Sequence, residues 1–323
     1  MAKKINEPQG KTEESLVYSR KVRSDFLFRM GLQDVPHSIL YHDRADLASD
    51  VPIAGGRDYG SFSLVHKTKD RRMRKIFKTS NMSCRAGGLS RFPQNIGRML
   101  VKFYCPERGT VYDPFAGHNS RMELVHRTGR NYIGVDVSHE FMESNRKIKD
   151  GLTKQKGLLE HMRGTIRLIE GSSASVPGVP DEWADFTITS PPYWNLEYYG
   201  NEPEQLGKAK TYKSFLELLY PHVMENYRIL KPGSFCIWCI NDFVQDKVFY
   251  PYHIDISSLF VRAGFNLHNI YVTDLGQPIV ASFLHTLIIT KRFPKRHEYC
   301  VVGQKPGENP EVETHINQLG GLK

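Results

Sequence analysis

From residue 110 onward the chain alternates short apolar runs with helix-length amphipathic stretches, and this alternation limits the possible folds more than any other feature of the sequence. Parallel strands cannot be joined by a tight turn; they need a crossover of about a dozen residues or more, usually a helix. Strands are predicted at 110–112, 132–135, 165–169, 185–188, 234–240, 266–272 and 299–302, with helices at 122–127, 140–149, 213–229 and 254–263. The longest helix should stop at Leu230-Lys231-Pro232-Gly233, where proline and glycine end it before the next strand. The expected class is α/β: a mostly parallel seven-stranded sheet with helices on both faces, preceded by an irregular N-terminal region.

That region divides by texture. Residues 1–25 are charged and aperiodic, as expected of a flexible arm, and 306–323 read as a flexible tail. Residues 26–89 are irregular and carry a dense basic block of Lys67, Lys69, Arg71, Arg72, Arg74, Lys75 and Lys78. Taken alone, such a run reads either as a solvated face or as a phosphate contact. Across the whole chain, 44 Lys and Arg against 35 Asp and Glu leave a net charge of +9, which favours a polyanionic partner: nucleic acid or an anionic membrane surface. The sequence has no apolar run near the ~18 residues that a membrane helix requires, and Met1-Ala2-Lys3-Lys4 leads into polar sequence, so a soluble, cytoplasmic protein without a membrane is expected. Five cysteines, odd and sparse, suit a reducing compartment. Cys236-Ile237-Trp238-Cys239 spells a metal-like spacing, yet it falls in a predicted strand with no second pair, so core thiols and no metal are expected.

In open α/β sheets, ligands bind beyond the carboxyl ends of the strands. The first strand runs into Asp113-Pro114-Phe115-Ala116-Gly117, the second ends in Asp136, the third in Glu170-Gly171-Ser172 and the fourth in Thr189-Ser190-Pro191-Pro192-Tyr193-Trp194. An acid closing the second strand can accept hydrogen bonds from both hydroxyls of a ribose, and a glycine turn after the first lets a ligand approach the backbone. Gly117 is followed by His118-Asn119-Ser120-Arg121 rather than a G-x-G-x-x-G continuation, and G-x-x-x-x-G-K-[ST] does not occur. A nucleoside cofactor without a diphosphate fits S-adenosylmethionine best.

The run Thr189-Ser190-Pro191-Pro192-Tyr193-Trp194-Asn195 resembles the catalytic motif of the amino-directed DNA methyltransferases, which modify adenine N6 or cytosine N4. Asp113-Pro114-Phe115-Ala116-Gly117 is similar to that family's cofactor motif, and Tyr132-Ile133-Gly134-Val135-Asp136 to its ribose-binding strand end. Asn195-Leu196-Glu197-Tyr198-Tyr199-Gly200, Arg228-Ile229-Leu230-Lys231-Pro232-Gly233 and His297-Glu298-Tyr299 also look like recurrent stretches of such enzymes. The resemblance spans roughly residues 90–305 and implies a Rossmann-like methyltransferase fold with S-adenosylmethionine as cofactor.

The resemblance implies a role for each matching residue. Asp113, Pro114, Phe115, Ala116, Gly117, Asn119, Asp136 and Ser172 would surround the cofactor, with Gln94 and Asn95 of Arg91-Phe92-Pro93-Gln94-Asn95-Ile96 beside its methionine end. The family's cofactor loop commonly continues Gly-Ser-Gly-Thr; here the second glycine is missing, and Asn119, which tolerates left-handed backbone, is expected to take over that turn. Ser190 and the Pro191 carbonyl would accept the two protons of the target amine, Pro192 would stiffen the loop, and Tyr193 would stack on a base flipped from the duplex. Carbon-5 cytosine chemistry would need a Pro-Cys nucleophile, whereas this chain has Cys105-Pro106, reversed and ahead of the first strand.

Such an enzyme acts on double-stranded DNA, and a cognate restriction endonuclease or a phage factor is the partner of a restriction-modification setting. Target recognition would fall to residues 26–89, 194–212 and 273–297, with the basic block on phosphates. The resemblance implies cytosine N4 in preference to adenine N6, since Ser-Pro-Pro-Tyr leans that way within the family and many of its adenine-modifying members carry an Asp where Ser190 stands. An RNA or protein-amide methyltransferase and a non-catalytic DNA-binding relative stand as alternatives.

Overall fold

The computed structural model describes residues 38–41, 61–62, 89–90, 92–154, 163–196, 202–274, 288–293, 295 and 297–307. The chain divides into two units, Met1–His37 and Ser38–Lys323, and the first lies outside the described residues. So do the basic block from Lys67 to Lys78, Arg91, residues 197–201 and 275–287, and the tail from 308.

The described elements run β1 (Ile39–Tyr41), β2 (Ser61–Phe62), β3 (Leu89–Ser90), α1 (Gln94–Tyr104), β4 (Thr110–Asp113), α2 (Ser120–Arg127), β5 (Asn131–Asp136), α3 (His139–Lys154), β6 (Ile166–Glu170) and β7 (Ala184–Thr189). They continue with α4 (Tyr212–Ile229), β8 (Leu230–Ile240), β9 (Phe243–Gln245), β10 (Val248–Tyr250), α5 (Tyr252–Ala263), β11 (Asn266–Asp274) and β12 (His297–Gln304). All seven predicted strands are present in one sheet of order β1-β11-β12-β8-β7-β4-β5-β6. The pairs β4–β5, β5–β6, β4–β7 and β7–β8 are parallel, and β12 runs antiparallel to both β8 and β11. An eighth strand adds to the expected seven: β1 pairs in parallel with β11, so the sheet takes in residues ahead of a boundary drawn near 90.

Alternation along each strand splits the core between the two faces of the sheet. Tyr112, Ile133, Val135, Cys236, Trp238 and Ile240 join Phe215, Leu219 and Val223 of α4 and Ile256 and Phe260 of α5 on one face. Val111, Tyr132, Phe186, Ile188, Ile237 and Cys239 join Ile96 and Leu100 of α1, Met122 and Val125 of α2 and Leu152 of α3 on the other. Three residues apart on a strand means opposite faces, so the sulfurs of Cys236 and Cys239 cannot converge on one ion. Both thiols are buried. Among the described residues no cluster of three or more His, Cys, Asp or Glu is arranged to hold a metal, and no helix is long and apolar enough to cross a membrane.

Two local details differ from expectation. The helix α4 ends at Ile229 as predicted, but β8 begins at once and carries Pro232 and Gly233 within it. A left-handed Gly233 (φ 78°) at its exposed start makes this possible. Helix α1 was unpredicted, although its buried Ile96, Leu100, Val101 and Tyr104 fall at helical spacing.

Candidate active site

The sheet reverses its winding between β4 and β7, because the crossover through α2 carries β4 to β5 on one side while β7 and β8 extend the other. Such a switch point opens a crevice at the carboxyl ends of its two strands, and here those ends are Asp113 and Thr189.

Asp113 is fully buried and fully engaged. Its Oδ1 accepts from Thr189 Oγ1 at 2.6 Å and from the Phe115 amide at 3.4 Å; its Oδ2 accepts from Arg121 Nε at 2.7 Å and Tyr132 OH at 2.8 Å. Arg121 also donates to the carbonyls of Phe115 (2.6 Å) and Ala116 (3.2 Å), and its guanidinium lies 5.5 Å from the centre of the Phe92 ring. One buried carboxylate therefore fixes the loop after β4, the hydroxyl ahead of Ser190, and the first turn of α2. Leaving it without Arg121 would strand a buried charge, which is why the pair persists in a dry setting. The sequence reading missed Arg121. A cation in the first turn of a helix opposes the helix dipole, and that was the available signal of a specific acidic partner.

Asp136 closes β5 part-exposed, its Oδ2 accepting from the Gly117 amide at 2.7 Å and its Oδ1 from the Ser138 amide at 2.9 Å. Burial raises its pKa from 3.8 to about 6, against the lowering effect of these two amides. Each oxygen keeps a lone pair for a further donor. The loop beside it is held by the Ala116 amide on the Val135 carbonyl (2.9 Å) and by Asn145, which donates to the Gly117 carbonyl (2.8 Å).

The turn is made differently from the sequence expectation. Gly117 itself is left-handed (φ 53°), while Asn119 is right-handed (φ −61°, ψ −10°) and buried, with its amide donating to Glu123 of α2. Asn119 thus replaces no glycine; the missing second glycine is unnecessary because the helix has already begun. A Cβ on Gly117 would meet only the Phe115 carbonyl at 3.9 Å, and one on Gly171 (φ 146°) would meet nothing within 4 Å. Both glycines border open space next to Asp136, whose backbone carbonyl receives the Gly171 amide at 2.9 Å. A carboxylate with spare lone pairs beside two bare glycine backbones suits a nucleoside.

Ser172 accepts from the Ala174 amide at 3.2 Å, and its neighbour Ser173 lies 2.7 Å from Nδ1 of buried His222. Burial lowers the His222 pKa to about 4, so the ring is a neutral prop behind Phe115, whose ring centre is 5.1 Å away. Gln94 donates to the Phe92 and Ser120 carbonyls, so it ties α1 to the cofactor-side loop, and Asn95 follows it on α1.

In the loop after β7, Pro191 is buried and Ser190 part-exposed. The Pro192 carbonyl accepts from Tyr252 OH at 3.1 Å, and Tyr193 OH accepts from the Asn241 amide at 2.8 Å. The Tyr193 ring meets Phe243 edge-on at 6.0 Å and Tyr252 at 5.7 Å, and Trp194 donates to the Ala209 carbonyl at 2.8 Å. The loop is thus anchored from both sides of Ser190. By contrast, Cys105 lies at the end of α1, ahead of β4, where burial pushes its thiol up to about 12. Protonation removes it from nucleophilic chemistry.

The structure therefore brings together Asp113, Pro114, Phe115, Ala116, Gly117, Asp136, Ser172 and Ser190 to Tyr193 along one sheet edge, while the basic block lies outside the described residues. The sequence profile of the DNA methylase family (N6_N4_Mtase) matches residues 8–147 and 184–319. The type II beta methyltransferase M.BslI of Bacillus sp. (strain NEB-606) is 30% identical over 126 residues, which span 36% of this chain and only 13% of that protein. Similar solved structures include a SAM-dependent methyltransferase from Methanosarcina mazei, 13% identical over 65% of this chain and 98% of its own, with a TM-score of 0.44. TrmN from Thermus thermophilus is 15% identical over 69% of this chain and 51% of its own, with a TM-score of 0.42. With a profile match over most of its length, the chain belongs to the DNA methylase family, whose methyl donor is S-adenosylmethionine.

Proposed function

We propose that the chain methylates an exocyclic amine of a base in duplex DNA, cytosine N4 in preference to adenine N6. The observation that carries this reading is the joining of two loops through Asp113: the Gly117–Asp136 cradle and the Ser190-to-Tyr193 loop stand at adjacent strand ends, tied by the Thr189 bond. When bound, S-adenosylmethionine supplies an electrophilic methyl carbon on a sulfonium. Asp136 would accept both ribose hydroxyls, and Gly117 and Gly171 would allow close backbone approach. Pro114, Phe115 and Ala116 would shape the cleft, Ser172 would accept from the adenine amine, and Gln94 and Asn95 would flank the methionine end. Asp113 and Asn119 would position the loop from behind, since their side chains are committed to protein partners.

An exocyclic amine delocalises its lone pair into the ring and attacks poorly. Ser190 and the Pro191 carbonyl, each accepting one amino proton, would turn that pair toward the methyl carbon. The Tyr252 bond to the Pro192 carbonyl fixes the loop just after the Pro191 carbonyl, the acceptor assigned to substrate. Tyr193 would stack on the flipped base, its ring held by Asn241 and Tyr252. The amine nitrogen held by Ser190 and the Pro191 carbonyl would take the methyl group while the donor's sulfur keeps the bonding pair, and the amine's surplus proton would leave to water.

Incubating the protein with tritiated S-adenosylmethionine and, separately, duplex DNA, RNA and mixed protein tests the substrate class; label on RNA or protein alone overturns the DNA reading. Nucleoside mass spectrometry of the methylated DNA tests the atom. N6-methyladenine as the sole product would overturn the cytosine assignment and leave the chemistry of the loop intact.

A further inference from the structure

Beyond the sheet, β9 and β10 pair antiparallel as an isolated hairpin, Phe243 against Tyr250 and Val244 against Phe249. Its two-residue turn, Asp246-Lys247, is left-handed at both positions (φ 47° and 67°), the geometry of a type I′ turn. Glycine would ordinarily fill the second position; a lysine there is held in a disfavoured conformation at the tip.

The two faces of the hairpin differ. Phe243 and Tyr250 stack at 5.0 Å on the inner face, where Phe243 meets Tyr193 and Tyr250 meets Trp194 at 5.5 Å. On the outer face Val244 and Phe249 are 41% and 49% exposed; Val248, beside the turn, shares the face of Tyr250 and is 51% exposed. Cations rim this apolar strip. Lys295 Nζ lies 5.6 Å from the Phe249 ring centre, Arg292 donates to the Lys247 carbonyl at 3.4 Å, and Lys247 projects from the turn. Asp246 is the exposed acid of the hairpin, since Asp242 is buried against His253 and Lys295.

We propose that this outer face seats the DNA duplex beside the flipped base, with Phe249 against the unstacked step and Lys247 and Arg292 on flanking phosphates, while Lys295, bound to Asn241 and Asp242, props the Phe249 ring. The inference rests on the DNA reading above. Charge selects the occupant: a second copy docking through the same face would set these cations against their own images, whereas a polyanion neutralises them. Position supports it too, because a base extruded onto Tyr193 leaves its duplex at the edge where the hairpin stands, and half-exposed apolar side chains there can fill the gap in the stack.

The test compares wild type, Phe249→Ala and the double variant Lys247→Glu/Arg292→Glu. Binding is measured by fluorescence anisotropy on a long mixed-sequence duplex and on the same duplex with one abasic site. Cofactor affinity and circular dichroism serve as controls, unchanged in both variants because all three positions lie outside the cofactor cleft. Phe249→Ala is expected to weaken binding about tenfold on the intact duplex and less on the abasic one, where unstacking costs little. The charge reversal should flatten the salt dependence. Unchanged affinity in both variants of a protein that methylates DNA overturns the hairpin assignment alone; so does a dimer that Phe249→Ala dissociates without loss of DNA affinity. A wild type that neither binds nor methylates DNA overturns the DNA reading and this inference with it.

Discussion

The strongest single test of the cofactor cradle is Asp136→Asn read as a function of pH. Burial holds the Asp136 carboxyl neutral up to about pH 6, whereas an unperturbed carboxyl ionises near 3.8. The folded chain therefore binds this proton more tightly than the unfolded chain does, so stability falls as pH rises from about 4 to 6 and is level above. The amplitude is roughly 3 kcal/mol. Ribose hydroxyls donate to the charged form, so cofactor binding should strengthen as pH rises through the same region, by about tenfold per unit below 6, and become constant above it. Asparagine removes the titration and one acceptor's charge. At pH 7 its cofactor affinity should be lower by about 1–3 kcal/mol, roughly 5- to 150-fold, and level from pH 5 to 7. Isothermal calorimetry with S-adenosylhomocysteine, whose own groups do not ionise strongly between pH 5 and 6.5, supplies both curves; circular dichroism verifies the fold at each pH. A wild-type profile as flat as that of the variant, or equal affinities at pH 7, would refute the assignment of Asp136 to the ribose.

Ser190→Ala should lower kcat by about ten- to a hundredfold with little change in DNA affinity, because it removes one hydrogen bond to the amine, whereas Tyr193→Ala should weaken both; single-turnover kinetics and anisotropy separate the two effects. Arg121→Met leaves Asp113 buried without its cation and should destabilise the fold by about 3–5 kcal/mol, read from urea unfolding; a loss under 1 kcal/mol would contradict the role given to the pair. Charge reversal of Arg71, Arg72 and Arg74 should weaken binding to all duplexes and reduce its salt slope, and an unaltered slope would leave the basic block as a solvated surface.

The strands were legible in the sequence because burial on both faces of a parallel sheet writes them as short apolar runs, and β5, β7 and the core of β8 fell where those runs did. The candidate site was legible for the same reason: in such a sheet the chemistry follows the strand ends, which directs the eye to Asp113, Asp136 and Ser190. What escaped was short or unsignalled. Ile39–Tyr41 has three residues and no period to detect, and the Asp246-Lys247 turn lacks the glycine by which a hairpin announces itself. Asn119 was misassigned because its tolerance of left-handed backbone was weighed without its position at the start of α2, where right-handed backbone is the local demand.

The arrangement around Asp113 explains why two loops far apart in sequence can act as one site. Thr189 immediately precedes Ser190, and its hydroxyl is bonded to the acid that immediately precedes the cofactor-side loop. A shift of either loop would break a hydrogen bond to a fully buried carboxylate, where no water replaces it, so the cost of relative movement is that of a strong charge-assisted bond. Arg121 adds the carbonyls of Phe115 and Ala116 to the same centre, and Tyr132 adds β5, the strand that ends in Asp136. The loop after β7, the loop after β4 and the end of β5 at Asp136 are thereby referred to a single point inside the sheet. The proposed in-line methyl transfer would tolerate little misalignment of the two reactants. A buried polar centre is a costly way to join loops, and at a switch point, where two strand ends must hold two reactants in register, rigidity is the property that cost supplies.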